Sequence, residues 1–269
     1  MRRIPATAKL NLALVVGPRR PDGKHEVATV LQRIDLTDRI QLEPAPRLEV
    51  TGFGEDTLVR GALDALAREV EADAGWAARI EKRIPVAAGL GGGSSDAAAA
   101  LRLANETLAR PLPIQQLREI AAKLGADIPF FLTDGPQLAE GDGTELSPLD
   151  LPQDYWVLLV LPTGARKRST AEVYGSFDGA AGFEDRLAAL RGTLAEVRRP
   201  RDLAALPPND LASSPMAEEL AELGAFRADV TGAGPVVYGL FGRREDAEAA
   251  RRALSSGGRT WLTVPAWYG

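Results

Sequence analysis

The sequence contains no cysteine and only one histidine, His25, among its 269 residues. The lack of cysteine excludes disulfides, thiolate nucleophiles and cysteine-based zinc sites, and it is compatible with a cytoplasmic location. With a single histidine, a structural zinc site is excluded as well. A serine–histidine–aspartate triad would remain open, but the sequence has no G-x-S-x-G elbow to carry the serine.

Long apolar runs and an excess of positive charge are also missing. The apolar runs are far shorter than the ~18 residues that a membrane-spanning helix needs. Lys9 and Asn11 interrupt the stretch after Met1 that would otherwise imitate a signal peptide. The net charge of -5 argues against binding to nucleic acid or to an anionic membrane. We therefore expect a cytoplasmic protein that acts on a small molecule.

Glycine is concentrated in one segment, which leads into an alanine-rich helix. Residues 85–100 read P-V-A-A-G-L-G-G-G-S-S-D-A-A-A-A. Glycine allows close backbone approach and positive φ, the serines can cap the helix, and the first-turn N–H groups suit a phosphate oxygen. The ordinary alternative is a helix start with a flexible lead-in, which does not need four glycines in the five positions 89–93. The segment, here called the glycine loop, therefore predicts a phosphate site.

The glycine loop does not match the two commonest nucleotide motifs. A Walker A loop requires a lysine before its Ser or Thr, and none stands beside Ser94 or Ser95. In a G-x-G-x-x-G fingerprint counted from Gly89, the last position is Ser94. A P-loop NTPase is excluded, and a dinucleotide site is weakly supported.

Periodicity predicts an α+β protein of two domains. Alternation from Ala8 to Val16 is typical of a strand with one buried face and places Lys9 and Asn11 on the same face. Proline flanks a linker near Pro152, between two groups of strands and helices, so we expect domains at 1–152 and 153–269. Among the predicted elements are strands at 27–34, 39–43 and 47–51 and helices at 95–109 and 114–124.

Three short segments accompany the glycine loop. They read A-K-L-N at 8–11, G-A-D-I-P-F-F at 125–131 and V-T-G-A-G-P at 230–235. Each has an ordinary alternative: two surface residues of an edge strand, an aspartate N-cap before a proline, and a hairpin turn. Their occurrence together, with the glycine loop between the first two, favours one active site.

With these segments the chain resembles the GHMP kinase superfamily. The matching motifs are A-K-[VL]-N-L at 8–12, D-G-Y-H at 22–25 with one change, P-x-x-x-G-L-G-G-G-S-S-[DN]-A-A at 85–98, G-A-D-[VI]-P at 125–129 and N-D-L at 209–211. The likeness covers nearly the whole chain and is greatest to the branch that phosphorylates a cytidine diphosphate conjugate of methylerythritol. It implies an N-terminal domain like domain 2 of ribosomal protein S5, a ferredoxin-like C-terminal domain, and an active site between them.

The resemblance also implies roles in phosphoryl transfer from ATP with Mg²⁺. Asp127 would accept the proton of the substrate hydroxyl, Lys9 would steady the developing charge, and Asn11 would orient the alcohol. Ser95 would contact the magnesium ion. The ATP phosphates would be bound by Ala87, Ala88, Gly89, Leu90, Gly91, Gly92, Gly93, Ser94, Ser95 and Asp96.

The substrate end departs from the family pattern. Lys24 stands where an aromatic residue stacks on the base, although His25 is retained and Tyr174 lies where a second aromatic is expected. Tyr174 is equally typical of a core tyrosine. Ala233 and Thr57 each change one polar contact of the family. A kinase for another alcohol, or a silent ligand-binding homologue, therefore stays open.

Overall fold

The computed structural model describes residues 1–54, 58–70, 75–165, 170–179 and 181–266. The N-terminal half of the described chain holds β1 (Arg2–Arg19), β2 (His25–Ala45), β3 (Glu49–Thr51), α1 (Leu58–Glu69), β4 (Gly75–Glu81), α2 (Gly92–Asn105), α3 (Ile114–Leu124), a 3-10 helix (Pro129–Leu132), β5 (Gln137–Glu140) and β6 (Glu145–Pro148). The C-terminal half holds β7 (Trp156–Pro162), α4 (Thr170–Gly175), α5 (Phe183–Glu196), a 3-10 helix (Pro200–Ala205), α6 (Pro215–Glu222), β8 (Arg227–Val230), β9 (Val237–Phe241), α7 (Arg244–Ala253), a 3-10 helix (Leu254–Ser256) and β10 (Gly258–Thr263).

The first sheet is organised by the long strand β2. In the described chain its order is β3-β4-β2-β5-β6, with β1 also paired to β2. β2 can serve three partners because different stretches of its length pair with β1, β4 and β5. It is continuous where the sequence predicted separate strands at 27–34 and 39–43. That prediction was wrong, because the polar residues between these ranges still pair with β1.

The second sheet has the order β10-β7-β9-β8, and its neighbouring strands are antiparallel. If the four strands are numbered by their order in the chain, they lie side by side as four, one, three, two. Helices connect the first strand to the second and the third strand to the fourth. This is the ferredoxin-like arrangement that the resemblance implied. The division of the chain at residues 152 and 153 stays a prediction.

β1 lies between two cores and so differs from the predicted half-buried strand. Residues 6–17 are buried without alternation. One core packs helices α1, α2 and α3 on the first sheet, and a second core joins β1 residues such as Leu10 and Leu12 to Leu159 and Tyr238 of the second sheet. A register shift between Asn11 and Ala13 marks a bulge, which interrupts the strict two-residue period.

Helix boundaries follow local chemistry. α3 agrees with its predicted range, and Gly125 is its C-cap. α2 begins at Gly92 with Gly91 as N-cap and no side-chain cap, so the expectation that the serines cap this helix was wrong. No helix in the described residues has the length and apolar character to cross a membrane.

Candidate active site

A cleft of about 860 Å³ contains most of the predicted site residues. Its wall is formed by β1, the start of β2, the glycine loop, the segment before the 3-10 helix at 129–132, the β5–β6 turn, α4 and the turn between β8 and β9. Both sheets therefore contribute to the same cavity. The predicted residues that line it are Lys9, Asn11, Lys24, His25, Ala87, Ala88, Gly89, Leu90, Gly91, Gly92, Gly93, Ser94, Asp96, Asp127 and Tyr174.

The glycine loop is shaped by left-handed backbone at alternate positions. Ala87, Gly89 and Gly91 have φ values of 53°, 81° and 69°. A Cβ on Gly89 would lie 2.1 Å from the carbonyl oxygen of Thr231, so only glycine permits this approach. Gly234 is under the same constraint, because its Cβ would lie 2.3 Å from the carbonyl oxygen of Ala88. The loop and the β8–β9 turn thus interlock through their backbones.

The start of α2 supplies backbone donors at the cleft. Ser95 N donates to Gly91 O at 2.9 Å as the first intrahelical bond. By helix geometry the N–H groups of the preceding residues of the helix have no intrahelical acceptor. Gly92, Gly93 and Ser94 line the cleft, where the positive end of the helix favours an anion.

Lys9 and Asp127 meet in the middle of the cleft. Lys9 Nζ lies 3.7 Å from Asp127 Oδ2, and the side chains are 4% and 43% exposed. Asp127 follows the end of α3 and precedes a 3-10 helix whose N-cap is Ile128, so the carboxylate does not serve as that helix's cap. The Asp127 side chain therefore faces Lys9 and the cleft. The alternative that Asp127 is a helix N-cap was wrong.

Asn11 fixes the position of Lys9. Lys9 Nζ donates to Asn11 Oδ1 at 2.5 Å, and Asn11 Nδ2 donates to Thr29 Oγ1 at 2.8 Å. Thr29 in turn donates to Ala13 O at 2.7 Å, and Asn11 N donates to Thr231 Oγ1 at 3.1 Å. Both ends of the amide are thus engaged within the protein. The predicted contact of Asn11 with the alcohol stays a prediction.

His25 lines the cleft and lies against two aromatic rings. Its Nδ1 lies 2.9 Å from Gly17 O and, facing a carbonyl, must donate. The centroids of Tyr174 and Phe177 lie 5.8 and 5.9 Å from the imidazole. His25 Nε2 is buried and has no hydrogen-bond partner among the described residues. In the neutral ring this atom is an acceptor that a ligand N–H would satisfy.

Tyr174 belongs both to the cleft and to a small apolar cluster with Leu14, Val16 and Val27. Burial raises the pKa of its phenol, and the charge of Asp127 raises it further. The hydroxyl therefore stays protonated, and the side chain lies within electrostatic reach of the predicted base. A packing role for Tyr174, which the sequence also allowed, is thus compatible with a role in binding.

Lys24 contributes a charge at the mouth of the cleft. Its Nζ donates to Asp142 Oδ2 at 2.6 Å. The partner comes from the β5–β6 turn, and both side chains line the cleft.

Asp96, near the start of α2, is held by a lysine. Lys82 Nζ donates to Asp96 Oδ2 at 2.8 Å and also to Asp38 Oδ2. Burial, and then the charge of Asp38, raises the pKa of Asp96 to about 8, against the lowering effect of Lys82. Burial lowers the pKa of Lys82, but the two carboxylates outweigh it, so the net shift is upward. These three side chains join β2, the segment after β4, and α2.

The two serines of the loop occupy different environments. Ser94 lines the cleft, whereas Ser95 is 3% exposed and is not part of the cleft wall. In the described residues no group of three or more His, Asp or Glu side chains could hold a metal ion by itself. Magnesium bound with ATP needs only one or two protein oxygens, because phosphates and waters supply the rest. A hydroxyl from this loop and the Asp127 carboxylate fit that requirement.

Several residues of the site were not identified from the sequence. The cleft is also lined by Thr29, Lys82 and Asp142, and His25 packs on Phe177, but none of these four belongs to a motif. Thr231 could have been identified, because it belongs to the V-T-G-A-G-P segment. Its role is revealed only by the hydrogen bond with Asn11 N. Ala233 lines the cleft, and Thr57 lies outside the described residues.

Comparisons with known proteins identify the class that this fold and site define. The family described as "GHMP kinases N terminal domain" matches residues 57–135, and "GHMP kinases C terminal" matches residues 189–260. The solved structure of a mevalonate kinase covers 98% of this chain at 15% identity, with a TM-score of 0.75, and so shares the fold. The chain is a GHMP kinase.

Similarity extends to one branch of that class. A 4-diphosphocytidyl-2-C-methyl-D-erythritol kinase from Geobacter sulfurreducens is 38% identical over 97% of this chain and 96% of its own length. The corresponding protein from Pelobacter propionicus is 40% identical over 97% of each chain. A crystal structure of 4-(cytidine 5'-diphospho)-2C-methyl-D-erythritol kinase is 31% identical, covers 98% of this chain and 99% of its own, and has a TM-score of 0.81. The chain belongs to the 4-diphosphocytidyl-2-C-methyl-D-erythritol kinase family.

Proposed function

We propose that this chain transfers the γ-phosphoryl group of ATP to the 2-hydroxyl of 4-diphosphocytidyl-2-C-methyl-D-erythritol. The observation that carries the proposal is the Lys9–Asp127 pair, 3.7 Å apart, in one cleft with the glycine loop and His25. Phosphoryl transfer requires a phosphate cradle, positive charge at the transferring group and a base at the attacking hydroxyl. The cleft contains a candidate for each requirement.

Asp127 is the proposed base. It accepts the proton of the 2-hydroxyl as that oxygen forms its bond to the γ-phosphorus, and the bond from phosphorus to the leaving ADP oxygen breaks. Lys9 keeps the carboxylate ionised and offsets the charge that develops on the transferring group. Asn11 and Thr29 hold the lysine in place, which limits the reorganisation needed during the step.

ATP is proposed to bind at residues 87–96 of the glycine loop, through the backbone donors at the start of α2. Mg²⁺, when bound with ATP, neutralises charge on the phosphates. Ser95 was the residue expected to contact the ion, but Ser94 is the serine that lines the cleft. We therefore propose the Ser94 hydroxyl and the Asp127 carboxylate as the protein oxygens nearest to the ion.

His25 is proposed to recognise the cytosine. Its Nε2 accepts, because Nδ1 is committed to Gly17 O, and the exocyclic amine of cytosine is a donor. Tyr174 offers a ring face beside it. A uracil would present a carbonyl oxygen at the same place and leave two acceptors facing each other.

One observation favours a second candidate, a related kinase for another alcohol. Lys24 replaces the aromatic face on which a base would stack, so the acceptor site is not that expected of the branch. The ATP side and the Lys9–Asp127 pair would serve either acceptor. A silent ligand-binding protein is disfavoured, since both of these side chains are present and adjacent.

A coupled ADP-release assay tests the proposal. The cytidine diphosphate conjugate of methylerythritol should be phosphorylated, whereas its uridine analogue, mevalonate and homoserine should be poor acceptors. Turnover with another alcohol but none with the cytidyl conjugate would establish the second candidate. Binding of ATP without turnover of any acceptor would contradict both kinase assignments.

A further inference from the structure

Two turns that are far apart in the chain meet beside His25 at the mouth of the cleft. One is the β1–β2 turn, which ends at Lys24, and the other is the β5–β6 turn, which contains Asp142. Lys24 Nζ and Asp142 Oδ2 are 2.6 Å apart, with side chains 52% and 18% exposed. Both side chains line the cleft. The contact therefore forms part of the cleft wall next to His25.

The carboxylate of Asp142 is held in place by hydrogen bonds that do not involve Lys24. Asp142 Oδ1 accepts from Thr144 Oγ1 at 2.6 Å and from Thr144 N at 3.2 Å. Partial burial opposes ionisation, but Lys24 and Thr144 outweigh it and lower the pKa of Asp142. The anion is thus oriented by its own turn, and Oδ2 remains for the lysine.

The lysine is fixed from the other side. Lys24 N donates to Asp22 Oδ1 at 3.0 Å, and Arg20 N donates to Lys24 O at 2.8 Å. The two turns are also tied by backbone, since Val27 N donates to Gly141 O at 2.8 Å. The ion pair therefore joins two ordered turns, and less side-chain entropy is lost than in a pair of free surface residues.

We propose that Lys24 and Asp142 form a charge-neutral wall of the acceptor's base subsite, in which Asp142 is a positioning residue that holds the aliphatic stem of Lys24 against the base. This inference rests on the proposed function and names the determinant of its acceptor affinity. A lysine without this partner would turn its ammonium into solvent and carry the stem away from the cleft. With the ammonium neutralised by Asp142, the methylene stem is the part of the side chain presented to the cleft.

The experiment combines two single variants and their double. Lys24→Met keeps a stem but removes the charge, and Asp142→Asn removes the anchor while keeping the size. Asp142→Asn should raise the acceptor KM and weaken binding of cytidine 5'-diphosphate by about two- to fivefold, the range for a partly exposed ion pair. The KM for ATP and kcat should stay near those of the unmodified protein. The double variant should bind the acceptor no more weakly than the weaker-binding single variant, because both substitutions act on one contact.

Glu106→Gln is the matched control. It breaks a comparable inter-element ion pair with Arg2, which lies outside the cleft wall. Thermal unfolding of all variants identifies any that lose the fold. An acceptor KM that is unchanged or lower in Asp142→Asn would overturn the proposal. Losses of acceptor affinity that add up in the double variant would also overturn it.

Direct binding separates this proposal from the proposed function. Cytidine 5'-diphosphate that binds the unmodified protein, and binds Asp142→Asn more weakly, supports the wall even if the cytidyl conjugate is not phosphorylated. In that outcome only the proposed function fails. Phosphorylation of the conjugate together with unchanged diphosphate binding and acceptor KM in both single variants would leave the function standing and remove the wall.

Discussion

Lys9 Nζ and Asp127 Oδ2 face each other at 3.7 Å. Opposite charges attract strongly at this distance, but it is longer than that of a good hydrogen bond. Lys9 is instead bonded to Asn11, so the carboxylate is left with acceptor capacity toward the cleft. The carboxylate can therefore accept a hydrogen bond from a third group, which in the proposed mechanism is the substrate hydroxyl.

Asp127→Asn should fold normally and lose most of its turnover. The amide cannot accept the hydroxyl proton, and general-base assistance contributes roughly 10²- to 10⁴-fold. We expect kcat to fall within that range while ATP still binds. The thermal midpoint serves as the control for folding. Near-normal kcat under saturating substrate would rule out Asp127 as the base.

His25→Phe should erase the preference for cytosine over uracil. The change removes the Nε2 acceptor but keeps a ring between Tyr174 and Phe177. Loss of a buried hydrogen bond predicts an about tenfold or greater loss in kcat/KM for the cytidyl acceptor. Phe177→Leu is the control, since it alters packing without altering hydrogen bonds. Equal discrimination in His25→Phe and the unmodified protein would contradict base recognition by His25.

Gly89→Ala should destabilise the fold and weaken ATP binding together. Left-handed backbone costs a residue with a Cβ roughly 1 to 2 kcal/mol, and the new Cβ would also meet Thr231 O at 2.1 Å. Gly164→Ala provides the matched control, because its φ is 75° and a Cβ there meets nothing within 4 Å. Chemical denaturation and the KM for ATP measure the two effects. A stability loss no greater than that of Gly164→Ala would disprove the close approach.

We expect Asp96 to make the free energy of unfolding fall as the pH rises. Its folded pKa of about 8 exceeds the ordinary value of 3.8, so the folded state holds a proton that the unfolded state releases. The stabilisation is complete at low pH and is lost as the pH rises toward 8. Asp96→Asn stays neutral, so its loss of stability from about pH 5 to about pH 9 should be smaller by at least ~1.4 kcal/mol, the value of one pKa unit.

Urea denaturation across that pH range measures the Asp96 effect. Asp64→Asn, an exposed substitution on α1, is the control and should reproduce the slope of the unmodified protein. If Asp96→Asn retains the full pH dependence, the proton is held elsewhere.

Ser94→Ala and Ser95→Ala should differ in their magnesium requirement. Ser94 faces the cleft, whereas Ser95 is buried below it. We expect Ser94→Ala to raise the Mg²⁺ concentration for half-maximal activity several-fold, about 1 kcal/mol for one ligand hydrogen bond or contact. Ser95→Ala should chiefly change stability. The reverse pattern would restore Ser95 as the magnesium contact.

Local patterns predicted many of the elements and most of the residues that line the cleft. The alternation at Ala8–Val16 identified β1, and the motifs identified Lys9, the glycine loop and Asp127. The same patterns could not reveal that β1 is covered on both faces, since this depends on where the second sheet packs. Likewise, the N-cap of α2 is Gly91 and not a serine, and a Cβ at this position would lie 3.0 Å from Lys9 and Phe131, contacts that only the folded chain reveals.

Pairs between distant turns were beyond the reach of the sequence. Lys24 was recognised as a departure from the family, but its partner Asp142 lies 118 residues away. Lys82 and Asp38 have no motif and become visible only when β2, the loop and α2 are assembled.

The backbones of Gly89 and Thr231, and those of Gly234 and Ala88, lie too close for a Cβ at either glycine. The junction between the glycine loop and the β8–β9 turn is therefore made of main chain alone, with no side chain that a substitution could trim or repack. Any residue larger than glycine at position 89 or 234 must displace both segments at once, so the junction tolerates change less than a contact between side chains would.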